Sequence, residues 1–157
     1  MNKKGSNIMT KIATKINTLW AAAVTLFASA FGKFWFLFLA FFVLNIADYI
    51  TGILKARFSH TENSNRGAKG IAKKTGYWVV IAIAFFVSLS FKTMGKTVGI
   101  DLGYAELLGW FTLATFLINE IRSILENLIQ IGVDVPDFLI RGLEVASKAV
   151  ETKAGEK

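Results

Sequence analysis

The chain has 157 residues, 18 Lys and Arg against 11 Asp and Glu, 54% hydrophobic residues, 14 Phe, one Pro, one His and no Cys. That composition is too apolar for an ordinary water-soluble domain of this length; it excludes structural disulfides and cysteine-ligated metals, and one His leaves little for any other metal site. The net charge of +7 lies beside apolar runs, which fits an anionic membrane surface better than nucleic acid, and no cofactor is expected.

Residues 1–33 carry Lys3, Lys4, Lys11 and Lys15 ahead of LWAAAVTLFASAFG. Ile12, Ile16, Leu19, Trp20, Ala23, Phe27 and Phe31 recur at steps of three and four, and Thr10, Thr14, Asn17, Thr18, Thr25 and Ser29 take the other side. This is an amphipathic helix pattern for a membrane-associated segment. Three readings are open: a helix lying among headgroups, a short extra crossing that turns at Gly32-Lys33, or a signal peptide cleaved after Ala28-Ser29-Ala30.

From Phe34 to Leu54 runs FWFLFLAFFVLNIADYITGIL, framed by Lys33 and Lys55. As a helix rising about 1.5 Å per residue it measures roughly 31 Å, close to the hydrocarbon thickness of a bilayer. Asn45, Asp48, Thr51, Gly52 and Lys55 follow at steps of three and four, so one polar stripe descends the C-terminal half of this span. Burying Asp48 costs about 2.5–3.5 kcal/mol on insertion scales, so it needs a protein or water partner. Two readings are open: a helix-helix contact in which Asp48 is protonated or pairs with a snorkelling Lys near the interface, or a polar seam for oligomerisation or a pore.

The loop that follows is basic, with Lys55, Arg57, Arg66, Lys69, Lys73 and Lys74 against Glu62. Asn63 to Gly67 is turn chemistry, and Gly67 and Gly70 suit a sharp return. The excess of positive charge places this loop in the cytoplasm. A phosphate-binding loop does not fit, because no strand precedes it and the G-x-x-x-x-G-K-[ST] spacing is missing.

A second span covers residues 75–91, with Tyr77 and Trp78 at the depth of an interfacial aromatic belt. A third, 107–119, is short for a crossing, and the helical period carries on to about residue 130 through Ile121, Leu125 and Leu128. Asn119, Glu120 and Arg122 are expected as a polar cluster at the inner interface. Gly132 to Pro136 then breaks the helix, and residues 131–157 form a cytoplasmic amphipathic helix and tail. Of the 18 Lys and Arg, 5 lie in residues 1–33, 6 in the first loop, 2 in the second and 5 after the third span, which puts the first loop and the C-terminus inside. The expected architecture is all-α and integral to the membrane. It has a domain at 34–130 with three transmembrane helices, preceded by an N-terminal amphipathic or fourth short membrane helix and followed by a C-terminal amphipathic helix.

Asp48-Tyr49-Ile50-Thr51-Gly52-Ile53-Leu54-Lys55-Ala56, then Gly67-Ala68-Lys69-Gly70-Ile71-Ala72-Lys73-Lys74, then Asn119-Glu120 leading through Ser123-Ile124-Leu125-Glu126-Asn127 to Gly132 and Pro136, together resemble the phage-lysis and toxin-secretion holin family. The resemblance covers about residues 34–145; residues 1–33 are longer than the family's usual start. It implies a small protein of the bacterial cytoplasmic membrane that has no catalytic residues. Such a protein forms homo-oligomers in the lipid bilayer and opens lesions through which an endolysin or a toxin leaves. The competing reading is a structural or regulatory membrane subunit that binds a partner through the basic loop or the C-terminal helix. A membrane enzyme is a more distant third, since Asp48, Glu120 and His60 form no acid-base or metal constellation.

Overall fold

The computed structural model describes residues 3–60 and 64–155. Five helices follow one another: α1 (Lys3–Phe31), α2 (Phe36–Phe58), α3 (Ser64–Val98), α4 (Glu106–Gln130) and α5 (Asp137–Gly155), with short 3-10 turns at Gly32–Phe34 and Gly103–Ala105. Among the described residues there is no strand. The chain divides into two units, Met1–Leu39 and Ala40–Lys157, and the second holds the bundle described next.

Among the described residues two helices, not the expected three, are long and apolar enough by themselves to cross a membrane: Phe36–Phe58 and Gly67–Val98. The third hydrophobic segment lies in α4, which buries polar Glu120 and Asn127 beside Leu113 and Ile118 on its inward side. Asn119, Glu120 and Arg122 interrupt its apolar run, and of these only Glu120 is buried.

The helix ends follow local chemistry. At the end of α4, Gly132 has φ +87°, and Gly132 N–H donates to Ile129 O (3.0 Å) while Val133 N–H donates to Leu128 O (3.0 Å). This pair of bonds satisfies carbonyls that the last turn leaves without partners, in a left-handed geometry that glycine adopts at no steric cost. Pro136 then precedes α5, as the sequence leads one to expect. The return between α2 and α3 differs from expectation. Gly67 and Gly70 are helical and belong to α3. The chain turns earlier, where Ser59 N–H donates to Lys55 O and His60, at φ +49°, donates to Arg57 O.

Within the second unit the core runs as a stripe along each helix. Phe41 of α2, Ile81 of α3 and Leu113 of α4 are fully buried at its centre. Phe41 packs on Trp78 (ring centroids 5.0 Å apart), and Tyr77 stacks on Phe116 (4.4 Å). Helices α3 and α4 are antiparallel and approach closely. Gly109 allows this: a Cβ there would lie 2.7 Å from the Phe85 ring, and the Gly109 N–H donates to Ser88 Oγ at 3.1 Å. Helix α2 meets the other two through long side chains rather than through its backbone.

The distribution of polarity is inverted relative to a water-soluble bundle. Phe42, Val43, Ile46 and Ile50 of α2 and Val79, Val80, Ile83 and Phe86 of α3 face outward, while Asn45, Ser88, Glu120 and Asn127 are buried. A protein folded in water hides the first set and solvates the second. Lipid as the surrounding solvent reverses both preferences.

Candidate functional site: a closed polar cluster between three helices

The polar half of the core is assembled from all three helices of the bundle. Asp48 of α2 and Glu120 of α4 converge on the ammonium of Lys74 of α3. Lys74 Nζ lies 2.8 Å from Asp48 Oδ2 and also donates to Glu120 Oε2. The side chain of Glu120 is only 3% exposed, so its charge has no solvent to fall back on. Asn127, two turns beyond Glu120 on the same side of α4, completes the arrangement. Its Nδ2 donates to Asp48 Oδ1 (3.0 Å) and to Thr51 Oγ1 (3.2 Å). Thr51 Oγ1 in turn donates to the Asp48 carbonyl at 3.1 Å. Both oxygens of Asp48 are therefore engaged, by a cation and by an amide. Charges out of water are tolerable only when paired and hydrogen-bonded in this way.

The stripe predicted along α2 is distributed over this cluster. Asn45 is buried one turn above Asp48, donating Nδ2 to Phe41 O at 2.7 Å, and its Oδ1 is buried with no hydrogen-bond partner. Gly52 lies against Asn127, where a Cβ would be 3.8 Å from Nδ2. Of the basic residues, Lys74 turns inward. Lys73 lies over the Tyr77 ring with its Nζ 5.7 Å from the centroid. Lys55 is half-buried near the end of α2, whereas Arg57 and Lys69 are exposed. The side chain of Arg66 lies outside the described residues.

Asn119, Glu120 and Arg122 do not come together as one group. Successive helical residues are about 100° apart, so when Glu120 points into the bundle its neighbours point away. Asn119 and Arg122 are exposed, and Arg122 lines an open groove with Glu144, Ser147, Lys148 and Glu151 where α5 folds back along α4. Asn127 is the contributor that sequence reasoning left out of the site. The available signal was its seven-residue spacing from Glu120, which puts both on one side of α4.

A second ion pair closes the opposite end of the α3–α4 hairpin, where Lys92 Nζ lies 2.5 Å from Glu106 Oε2. Lys74 and Lys92 are separated along α3 by roughly 27 Å at about 1.5 Å per residue. The two charged layers thus bracket a length comparable with a bilayer's hydrocarbon core, about 30 Å. Chemically the cluster is a binding and holding device. Its two carboxylates share one ammonium, and among the described residues no group of three or more His, Cys, Asp or Glu is placed to hold a metal ion.

The sequence matches the bacteriophage holin family over residues 25–148. The chain belongs to that family. As a holin-family chain with two helices apolar enough to cross a bilayer, it is a membrane protein. Among its relatives, an uncharacterized protein of Listeria innocua serovar 6a is 34% identical over 129 residues, 82% of this chain and 83% of its own. A Bacillus phage phi105 protein named "Probable holin" is 31% identical over 103 residues, 66% of this chain and 68% of its own. A Clostridium perfringens protein, described as a 14.9 kDa protein in the nagH 3′ region, is 31% identical over 123 residues, 76% of this chain and 83% of its own. No solved structure matches this holin-family chain. The family match takes in the whole polar cluster, from Asp48 to Asn127, and starts only after the basic half of α1.

Proposed function

We propose that this chain oligomerises in the bacterial cytoplasmic membrane and permeabilises it, so that an endolysin or a toxin leaves the cell. The observation that carries the reading, beyond the family, is the inverted polarity of the bundle. Its outer faces are apolar while Asp48, Lys74, Glu120 and Asn127 lie between the helices. In a single protomer these groups satisfy one another and no water-filled path is needed. The same residues are the polar lining from which a lumen is built when protomers gather. A helix with one polar side is equally satisfied beside water, beside another polar side or within its own bundle, so the closed cluster and a wet pore are alternative ways of meeting one demand.

In this reading α2, α3 and α4 all cross the bilayer. Helix α4 is carried across as the partner of α3, joined to it at Lys74–Glu120 near one membrane surface and at Lys92–Glu106 near the other. The end rich in Lys55, Arg57, Lys69 and Lys73 faces the cytoplasm, together with α5. Lipid is the first partner, a second copy of the chain the next, and the released enzyme or toxin is cargo. No catalytic step is assigned.

The test is induction of the chain alone in a bacterium, following dye entry and release of a cytoplasmic reporter, with purified protein in dye-loaded vesicles as the second arm. Dose-dependent leakage in both supports permeabilisation. Vesicles that stay sealed at every dose sink it. They would turn attention to a regulatory subunit that binds through α5, whose Phe138 and Val145 are both about two-thirds exposed (67% and 68%).

A further inference from the structure

We propose that α1 is an anchor that lies flat on an anionic lipid surface, with its apolar side in the acyl boundary and its lysines among the headgroups. Residues 7–26 are exposed without interruption in the structure. At 100° per residue Ile8, Ile12, Ile16, Leu19 and Ala23 share one arc, Thr14 and Thr18 lie on the other side, and Lys11 and Lys15 flank the apolar arc, Lys15 directly at its border beside Ile8. Large apolar side chains thus line one side of this helix and are exposed, Met9 74% and Leu19 71%.

Charge selects the occupant. No Asp or Glu precedes Asp48, so Lys3, Lys4, Lys11 and Lys15 have no acidic counterpart anywhere in the first 47 residues. A neutral or mixed-charge protein surface leaves that excess uncompensated, whereas anionic headgroups match it along the helix. The hydroxyls of the polar side do not call for a protein partner either. Thr14 and Thr18 each donate to the carbonyl four residues back at 2.9 Å, and Thr25 does so at 2.8 Å. The holin-family match begins at residue 25, after the four lysines of α1. Each lysine near an anionic surface raises partitioning roughly fivefold.

The inference rests on the membrane setting and not on pore formation, and the experiment reads the two separately. The absence of Cys lets single cysteines be placed and spin-labelled one at a time in the full chain, at Ile12→Cys, Thr14→Cys, Ile16→Cys, Thr18→Cys and Leu19→Cys. Each is reconstituted in vesicles of phosphatidylcholine with a minority of phosphatidylglycerol, and relaxation by oxygen is compared with relaxation by a water-soluble nickel chelate. The expected result is an oscillation of helical period at shallow depth, with positions 12, 16 and 19 in lipid and 14 and 18 in water. Its amplitude falls severalfold in pure phosphatidylcholine and in the Lys11→Gln/Lys15→Gln variant. A steady gradient of depth along the helix would mean a crossing and would overturn the proposal. So would protection of positions 14 and 18 with spin–spin broadening, which indicates a second copy, or an oscillation indifferent to lipid charge and to the lysines. Dye leakage from the same vesicles is scored independently. Its loss with the oscillation intact counts against the pore alone.

Discussion

Asn127 and Asp48, 79 residues apart in the chain, are joined by a 3.0 Å hydrogen bond from amide to carboxylate across the α2–α4 contact. That bond, with the Lys74 ion pair, makes Asp48 the point where three helices meet. Substitutions around it should therefore act on the whole bundle.

Lys74→Met removes the only cation that Asp48 and Glu120 directly contact among the described groups, and leaves two carboxylates facing each other. Breaking a buried pair from one side costs about 3–5 kcal/mol, so this variant should lose most of its folded fraction in denaturant titrations in detergent. Lys74→Arg retains the charge and should lose less. Equal loss for both would mean that the site depends on the shape of lysine and not on its charge.

Asn127→Leu leaves Asp48 Oδ1 and Thr51 Oγ1 each short of a hydrogen bond while the ion pair persists. The expected destabilisation is about 1–3 kcal/mol, smaller than for Lys74→Met. Thermal unfolding of the two variants side by side gives the order.

Gly109→Ala places a methyl group 2.7 Å from the Phe85 ring, in contact with an aromatic that itself packs edge-on against Trp110 with centroids 5.0 Å apart. Overpacking of this kind costs about 1–3 kcal/mol. A Gly109→Ala/Phe85→Leu double variant should recover part of the loss, and a double variant no better than the single would place the strain elsewhere.

Lys92→Gln is the contrasting case. Its partner Glu106 is equally near in chemical type, but the two side chains are 39% and 49% exposed. Screened pairs contribute about 0–1 kcal/mol, so stability in detergent should hardly move. A loss as large as that of Lys74→Met would show that this end of the hairpin is far less accessible than its exposure implies.

Much of the helical plan was readable in the residues, because apolar periodicity and turn chemistry are local. Gly132 and Pro136 mark the end of α4 and the start of α5, and the period through Leu125 and Leu128 carried α4 to Gln130. Gly67 and Gly70 misled for a local reason too. Glycine inside a helix costs only about 1 kcal/mol relative to alanine, and continuing the backbone ladder of α3 outweighs that, so the turn moved back to Ser59 and His60. Asn119, Glu120 and Arg122 looked like a group because they are close in sequence, yet helical geometry sends them in different directions. The role of Asn127 was the least legible. It depends on which side of α4 meets α2, and no pattern confined to one helix states that.

Because α2 is held by Phe41, Asp48 and Thr51 rather than by close backbone approach, the bundle has an order of disassembly built into it. The hairpin of α3 and α4, seated on Gly109 and tied by the buried Lys74–Glu120 pair, is the stiff part, and the helix before it is the detachable one. Pulled or loosened, the molecule should come apart as a hinged pair that loses its third member first. Amide exchange along α2 should then outpace exchange in the hairpin that it leaves behind.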